Sequence, residues 1–280
     1  MAKEKTTIQV KILKIIAYAI LILGAITMIL PFFWMVSTSL KTPAEAVAQP
    51  PVWLPESLQF ENYVRAMEVA PFGRYFLNSV VITSLSTAGE LLFTILAAFA
   101  FSRLNFYFKN VLFTILIATM MVPFELLMIP NYLTLSRMGL INTYAAMIIP
   151  FLASVFSVFM LKQNFEAIPD ELYYAAKVDG CSDFQFLWQV VVPLSKSAIV
   201  AVTILKIIGS WNAFLWPLIV TNETDIRPLP VGLQAFTTEA GTYYELLMAA
   251  ATIVVLPMIV IYLFLQKYII KGIANTGVKG

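Results

Sequence analysis

Apolar runs separated by short polar breaks set the rhythm of this chain. Six of them, at residues 12–36, 76–101, 111–130, 144–161, 198–220 and 244–265, fall within the roughly 17–25 residues that a membrane-spanning helix needs. The first run is longer than the apolar region of a secretory signal and ends in Pro31-Phe32-Phe33-Trp34 rather than in a small-residue cleavage site, so it is expected to be retained as a span. Prolines interrupt the third run at Pro123 and the fourth at Pro150. Two polar stretches are too broken to cross a bilayer: 42–72, with five prolines nearby and a short amphipathic helix expected after Gln59-Phe60-Glu61-Asn62-Tyr63, and 221–242, with Pro228 and Pro230. No short-period repeat and no low-complexity run is evident.

The longest polar interruption in the second half, residues 166–195, is patterned rather than scattered. Pro169 with Asp170 and Glu171 makes a helix start, because a proline costs nothing in the first turn and acids there complement the dipole. Gly180 is the expected stop, taking the left-handed conformation without steric cost. Ser182 with Gln185 has the spacing of a capping box for a second short helix. On that helix Phe184, Leu187, Trp188 and Val191 are expected to share one face, and Pro193 to close it. Two short helices therefore meet at a glycine elbow, one with the small pair Ala175 and Ala176, the other with a bulky apolar stripe. Such a unit is built to be covered, by another molecule or by the membrane surface.

Composition confirms the membrane class: 60% of the 280 residues are hydrophobic and 12% charged, against roughly a quarter charged in soluble domains. The net charge of +2 carries no argument for nucleic acid. There is no histidine, and Cys181 is the one cysteine. Sites built on Cys–His, Ser–His–Asp or zinc are thereby excluded or nearly so, and the lone thiol fits a reducing compartment. No catalytic residue and no metal ligand set is expected. With six spans, twelve of the 18 Lys and Arg residues fall on the side of the two termini and the elbow, and five on the other. The excess of basic residues marks the cytoplasmic side, so both termini and the elbow are expected there.

The remaining basic residue, Lys206, lies inside the fifth run. A lysine at a span centre costs about 2.5–3.5 kcal/mol on insertion scales, so it either lines a polar path, pairs with a carboxylate in a helix interface, or snorkels to water. Glu90 and Glu125 are intramembrane candidates of the same kind, Glu125 close to Pro123 where freed backbone groups can line a cavity. Trp211 and Asn212 offer an aromatic face and an amide suited to sugar rings and hydroxyls. Trp216, near the span end, is expected in an interfacial belt.

The elbow resembles the EAA loop of ABC-importer permeases: Glu-Ala-Ala, three residues, Gly, nine residues, then Ile-x-Leu-Pro. Ala175, Ala176, Gly180 and Pro193 stand at the matching positions. Tyr174 replaces the glutamate, with Glu171 one turn earlier, and Val190 to Val192 replace the branched residues before the proline. The likeness to MalG-like permeases of the carbohydrate-uptake branch extends over MVPFELLMIP (121–130), GLINT (139–143), DELYYAAKVDG (170–180) and GSWNAFLWPL (209–218). It implies an all-α polytopic bundle of six transmembrane helices with the MetI-like importer fold, one permease domain over residues 1–280. It also implies the bacterial inner membrane, a second MalF-like permease, two ATPase subunits and an external solute-binding protein as partners, and a carbohydrate as cargo. The 42–72 segment would face the binding protein. Glu171, Tyr174, Ala175, Ala176, Asp179, Gly180 and Pro193 would then form the ATPase-docking surface. The chain has no GxxxxGK[ST] phosphate loop, so no cofactor is expected on it and ATP with Mg would belong to the partner ATPase. The rival is a secondary transporter coupling to an ion gradient through Glu90 and Glu125; a membrane enzyme is disfavoured because the spans hold no paired acid–base cluster.

Overall fold

The apolar runs become helices, and the proline breaks at 123 and 150 become bends. The computed structural model describes residues 2–238 and 241–277. In chain order the helices are α1 (Ala2–Ser39), α2 (Pro43–Ala46), α3 (Glu61–Val69), α4 (Phe72–Arg103), α5 (Lys109–Thr119), α6 (Phe124–Arg137) and α7 (Tyr144–Ile148). They continue with α8 (Val155–Glu166), α9 (Asp170–Val178), α10 (Asp183–Phe186), α11 (Val192–Leu194), α12 (Lys196–Trp211), α13 (Leu215–Val220), α14 (Leu229–Gly232) and α15 (Tyr244–Gly277). One two-stranded antiparallel pair, Thr237–Thr238 with Gly241–Thr242, precedes the last helix. The fold is an all-helical polytopic membrane bundle.

Three helical stretches, Val10–Ser39, Phe72–Arg103 and Tyr244–Phe264, are each long and apolar enough to cross a bilayer. Three further candidates are bent pairs, which bring the total to six if each pair is one span. The run at 111–130 is not a single helix: it breaks before Pro123, and its halves meet at 99°. Pro123 forces the residue before it out of the helical region and becomes the N-cap of α6 with ψ 140°. The run at 144–161 turns by 43° through a 3₁₀ segment holding Pro150. The run at 198–220 also divides, because α12 ends at Trp211 and Pro217 sits in the first turn of α13, where its missing N–H is harmless.

Contacts divide the chain into two compact units, Met1–Ala70 with Leu233–Val255, and Pro71–Gly232 with Leu256–Gly280. In the first, the segment after α1 is tied down by polar contacts. Lys41, fully buried, lies 3.8 Å from the Trp34 ring centroid and donates to Thr38 Oγ1; burial pushes its pKa below the usual lysine range. Asn62 of α3 donates to the carbonyls of Ser39 and Lys41 at 3.0 and 2.8 Å. In the second unit, α4 packs along α8 and α12. A core of Ile95, Ala98, Phe99, Leu161, Phe165, Phe186, Leu187 and Val191 fills the space between them and the 166–195 segment.

Candidate functional site

The intramembrane charges meet. Lys206 of α12 places Nζ 2.7 Å from Glu90 Oε2 of α4, with the two side chains 13% and 6% exposed. Ser157 of α8 donates to Glu90 Oε1 at 2.8 Å, and Lys206 also donates to the Phe151 carbonyl at 2.9 Å. That carbonyl stands in the 3₁₀ segment before α8, where a helix break frees backbone acceptors for a partner of this kind. Three helices are thus joined by one charge-assisted network, the arrangement that makes a buried lysine tolerable.

The pair forms part of the wall of a cavity of about 350 Å³ within the second unit. Its lining follows helical periodicity: Ser79, Ile82, Thr83 and Glu90 come from one face of α4, and Lys206, Gly209 and Ser210 from one face of α12, with Ala213 just beyond its end. Phe151, Phe156 and Trp216 supply aromatic surface. Thr83 is 6% exposed, and its Oγ1 has no hydrogen-bond partner. Trp216 is not an interfacial belt residue: it is 3% exposed, donates its indole N–H to the Ala146 carbonyl at 3.0 Å, and packs edge-on against Phe124 and Phe151. Its indole N–H needed a partner once buried, and the α7 backbone provides it.

The other path candidates lie elsewhere. Glu125 is exposed in the first turn of α6. Trp211 is 4% exposed and packs its ring edge-on against Phe76 at 5.8 Å, and Asn212 is the exposed C-cap of α12. None of the three lines the cavity. Ser157 and Thr83 were not legible in the sequence, since hydroxyls within apolar helices occur widely as back-bonded packing residues. Among the described residues, no group of three or more His, Cys, Asp or Glu is placed to hold a metal ion.

The elbow is built as its residues dictate, with one change. Gly180 has φ +79°; its N–H donates to the Lys177 carbonyl, and the Cys181 N–H to the Ala176 carbonyl at 2.8 Å, the 6→1 and 5→2 pattern of a Schellman stop. Ser182 and Gln185 exchange the two capping-box bonds at 2.9 and 3.2 Å. The expected stripe is divided, however. Residues 187–191 form a π-turn, so Phe186, Leu187 and Val191 point into the core at 0–1% exposure while Phe184 is 64% exposed. The wider i to i+5 period of the π-turn brings Phe186 and Val191 into line, where a regular helix would present Phe184. Pro193 does not close the helix; it sits in the last turn, and the chain bends by 81° at Ser195.

On the outer face, Glu171, Tyr174, Ala175, Asp179, Gly180 and Pro193 are exposed, while Ala176 packs against the core. Val178 at 88% and Tyr174 at 65% are the most exposed apolar side chains of α9. Asp183 ties the two helices together, pairing with Lys177 at 2.7 Å and accepting from Tyr173 Oη at 2.8 Å. These two partners hold its carboxyl below the usual aspartate range, and the bond to Asp183 raises Lys177. Arg103, at the last turn of α4, was marked in the sequence only as flanking a short connection. Its guanidinium, 5% exposed, pairs with Asp170 at the start of α9 and donates to the carbonyls of Phe165, in the last turn of α8, and Ile168, in the link to α9. The helix that carries Glu90 is therefore fastened to the elbow.

These features define a polytopic helical membrane protein with a buried charge pair in its bundle and an exposed apolar elbow fixed to the same helices. The chain belongs to the family of binding-protein-dependent transport system inner membrane components, whose model matches residues 90–275. It is 33% identical to the arabinooligosaccharides transport system permease protein AraQ of Halalkalibacterium halodurans over 81% of each chain. It is 32% identical to the sulfoquinovosyl glycerol transport system permease protein SmoH of Agrobacterium fabrum, over 96% of this chain and 94% of the relative. A solved bacterial ABC transporter involved in import of the acidic polysaccharide alginate matches with a TM-score of 0.82 and 26% identity, covering 92% of this chain and 96% of that one. The chain is thus an ABC-importer permease, a multi-pass protein of the inner membrane.

Proposed function

We propose that this chain is one half of the membrane pathway of an ATP-driven carbohydrate importer, docked to an ATPase through the elbow at 166–195. The relatives named for arabinooligosaccharide and sulfoquinovosyl glycerol transport, and the alginate importer, support a saccharide as cargo. In this reading a second permease completes the path, two ATPase subunits bind ATP and Mg, and an external solute-binding protein delivers the sugar. Both termini and the elbow lie in the cytoplasm, in keeping with the distribution of Lys and Arg.

The observation that carries the docking is the combination of an exposed apolar tip with a rigid base. Tyr174, Val178 and Phe184 present apolar surface outward. Phe165, Phe186, Leu187 and Val191 beneath them are buried at 0–1% exposure, and each such side chain contributes about 1.5–3 kcal/mol to holding the base together. Arg103 then links the base to α4. A push on the tip by a closing ATPase dimer is passed to the helices around Glu90 and Lys206 as a rigid displacement. Coupling to an ion gradient has less support: Glu90 is already neutralised by Lys206, and Glu125 is exposed in α6 with no part in the cavity wall.

The test is a cross-link. Val178→Cys in a Cys181→Ser background, within the assembled importer, is expected to give a covalent adduct with the ATPase subunit on treatment with a short cross-linker whose maleimide takes the Cys thiol and whose succinimidyl ester acylates an ATPase lysine. An adduct with the solute-binding protein instead, or labelling only from the outer side, defeats the docking.

A further inference from the structure

A second cavity, of about 520 Å³, opens where α4, α5 and α8 come together at the elbow end of the bundle, and it shares no lining residue with the cavity beside Lys206. Its walls combine charged groups with aromatic rings: Lys109, Lys162 and Glu166, with Phe101, Phe106 and Phe113. We propose that it holds the phosphodiester headgroup of an anionic glycerophospholipid, whose acyl chains lie along α5. Such a site concerns the bilayer around the chain and not its cargo, and is independent of the importer reading.

Charge is unbalanced there. Lys162 pairs with Glu166 at 2.6 Å and lies 4.6 Å from the Phe113 ring centroid. Lys109 donates to the carbonyls of Ser102 and Leu104 at 3.3 and 2.9 Å, and among the described residues no carboxylate pairs with it. Two ammonium groups against one carboxylate leave a single positive charge, and the nearby Arg103 is taken up by Asp170. A phosphodiester carries one negative charge and accepts through its free oxygens, which suits an ammonium with an N–H to spare. Asn105 and Asn110 border the same space, and an asparagine amide can donate to further headgroup oxygens.

A carboxylate or a free phosphate can meet the same cation; depth and the neighbouring surface single out a lipid. The apolar runs at 76–101 and 144–161 end here and the run at 111–130 begins, so the cavity's walls stand at the level where hydrocarbon gives way to headgroups. Basic pockets between spanning helices at that level bind anionic headgroups. Beside the cavity, Val111, Leu112 and Ile115 are exposed at the i, i+3 and i+4 spacing of one face of α5, and Phe106 and Phe108 are exposed in the link before it. Acyl chains cover that surface, whereas a soluble anion leaves it bare. A headgroup held between Lys109 and Lys162 would fasten the start of α5 to the ends of α4 and α8, beside the Arg103 contact that ties those ends to the elbow.

The full-length chain, delipidated in detergent, is titrated with dioleoyl phosphatidylglycerol or dioleoyl phosphatidylcholine and read by native mass spectrometry, which resolves each lipid retained. The first phosphatidylglycerol is expected to bind about fivefold tighter than the first phosphatidylcholine, the worth of one basic residue toward an anionic lipid. Lys109→Gln abolishes that preference and Lys109→Arg keeps it. Glu166→Gln removes the competing carboxylate and raises the preference about fivefold further, a gain that misfolding cannot imitate. Inorganic phosphate at millimolar concentration leaves the lipid in place. Equal affinity for the two lipids, a preference that survives Lys109→Gln, a preference that Glu166→Gln leaves unchanged or lowers, or displacement by phosphate overturns the proposal; the last result marks a site for a free ion instead. ATP-driven uptake by the assembled importer is a separate readout, and its absence defeats the importer reading without touching the lipid site.

Discussion

Lys206→Met removes the cation of the enclosed pair and leaves its methylene stem in place. At 2.7 Å and an effective dielectric near 20, the Coulomb attraction is about 6 kcal/mol, from which the cost of taking both ions out of water must be subtracted. What remains visible in a single mutant is chiefly the penalty of the stranded partner, about 3–5 kcal/mol for a buried pair. The side-chain exposures of 13% and 6% put this pair in that buried class. Glu90→Gln is expected to cost somewhat less, because Lys206 keeps the Phe151 carbonyl and the amide keeps an oxygen for Ser157. The double variant Glu90→Gln/Lys206→Met should cost clearly less than the two singles combined, since neither ion is then left alone. Equilibrium unfolding of the detergent-purified chain, by titration with SDS in mixed micelles and followed by tryptophan fluorescence, gives the cycle. Single losses below about 1 kcal/mol, or a double loss equal to the sum of the singles, refute the claim that the network holds α4, α8 and α12 together.

Further outcomes follow from the elbow. Gly180→Val forces a β-branched residue to φ +79°, at about 1–2 kcal/mol; no neighbouring atom lies within 4 Å of the added Cβ, so membrane insertion is kept while ATP-driven uptake is lost, and full uptake by the variant counts against docking. Arg103→Ala frees the carbonyls of Phe165 and Ile168 and releases Asp170; ATP hydrolysis by the assembled importer is expected to continue while uptake falls, and an equal fall of both shows a merely structural loss. For Asp183, whose folded pKa lies below its ordinary value of 3.8, the stabilisation is complete above that value and disappears as pH falls through the depressed one. Lys177, raised above 10.5, adds a loss only as pH rises beyond that. The protection factors of the amides across residues 170–185, exchange rates divided by their intrinsic rates at each pH, should therefore be flat between about pH 5 and 9 and fall in acid, with Asp183→Asn already low at neutral pH; a change in protection centred near neutrality in the native chain contradicts this assignment.

What the sequence disclosed was what local chemistry controls. The stop at Gly180 and the start at Ser182 and Gln185 act through bonds that span three to five positions, so both could be placed before any fold was known. The prolines likewise marked breaks at 123 and 150, because a missing N–H acts on its own turn. Long-range pairing was not legible in the same way. Lys206 demanded a partner, yet Glu90 and Glu125 were equivalent by composition, and only the packing of α4 against α12 separates the paired carboxylate from the exposed one. Phe184 and Phe186 exchanged places because a π-turn alters the period, and nothing in Leu187-Trp188-Gln189-Val190-Val191 announces such a turn. Arg103 was overlooked because its three acceptors lie 62 to 67 positions downstream.

The central claim is tested most directly by solute flux in proteoliposomes holding the assembled importer with its binding protein outside. With ATP and Mg enclosed, radiolabelled saccharide should accumulate against its gradient, and neither a proton nor a sodium gradient should substitute. Accumulation driven by an ion gradient with no nucleotide present would contradict the account.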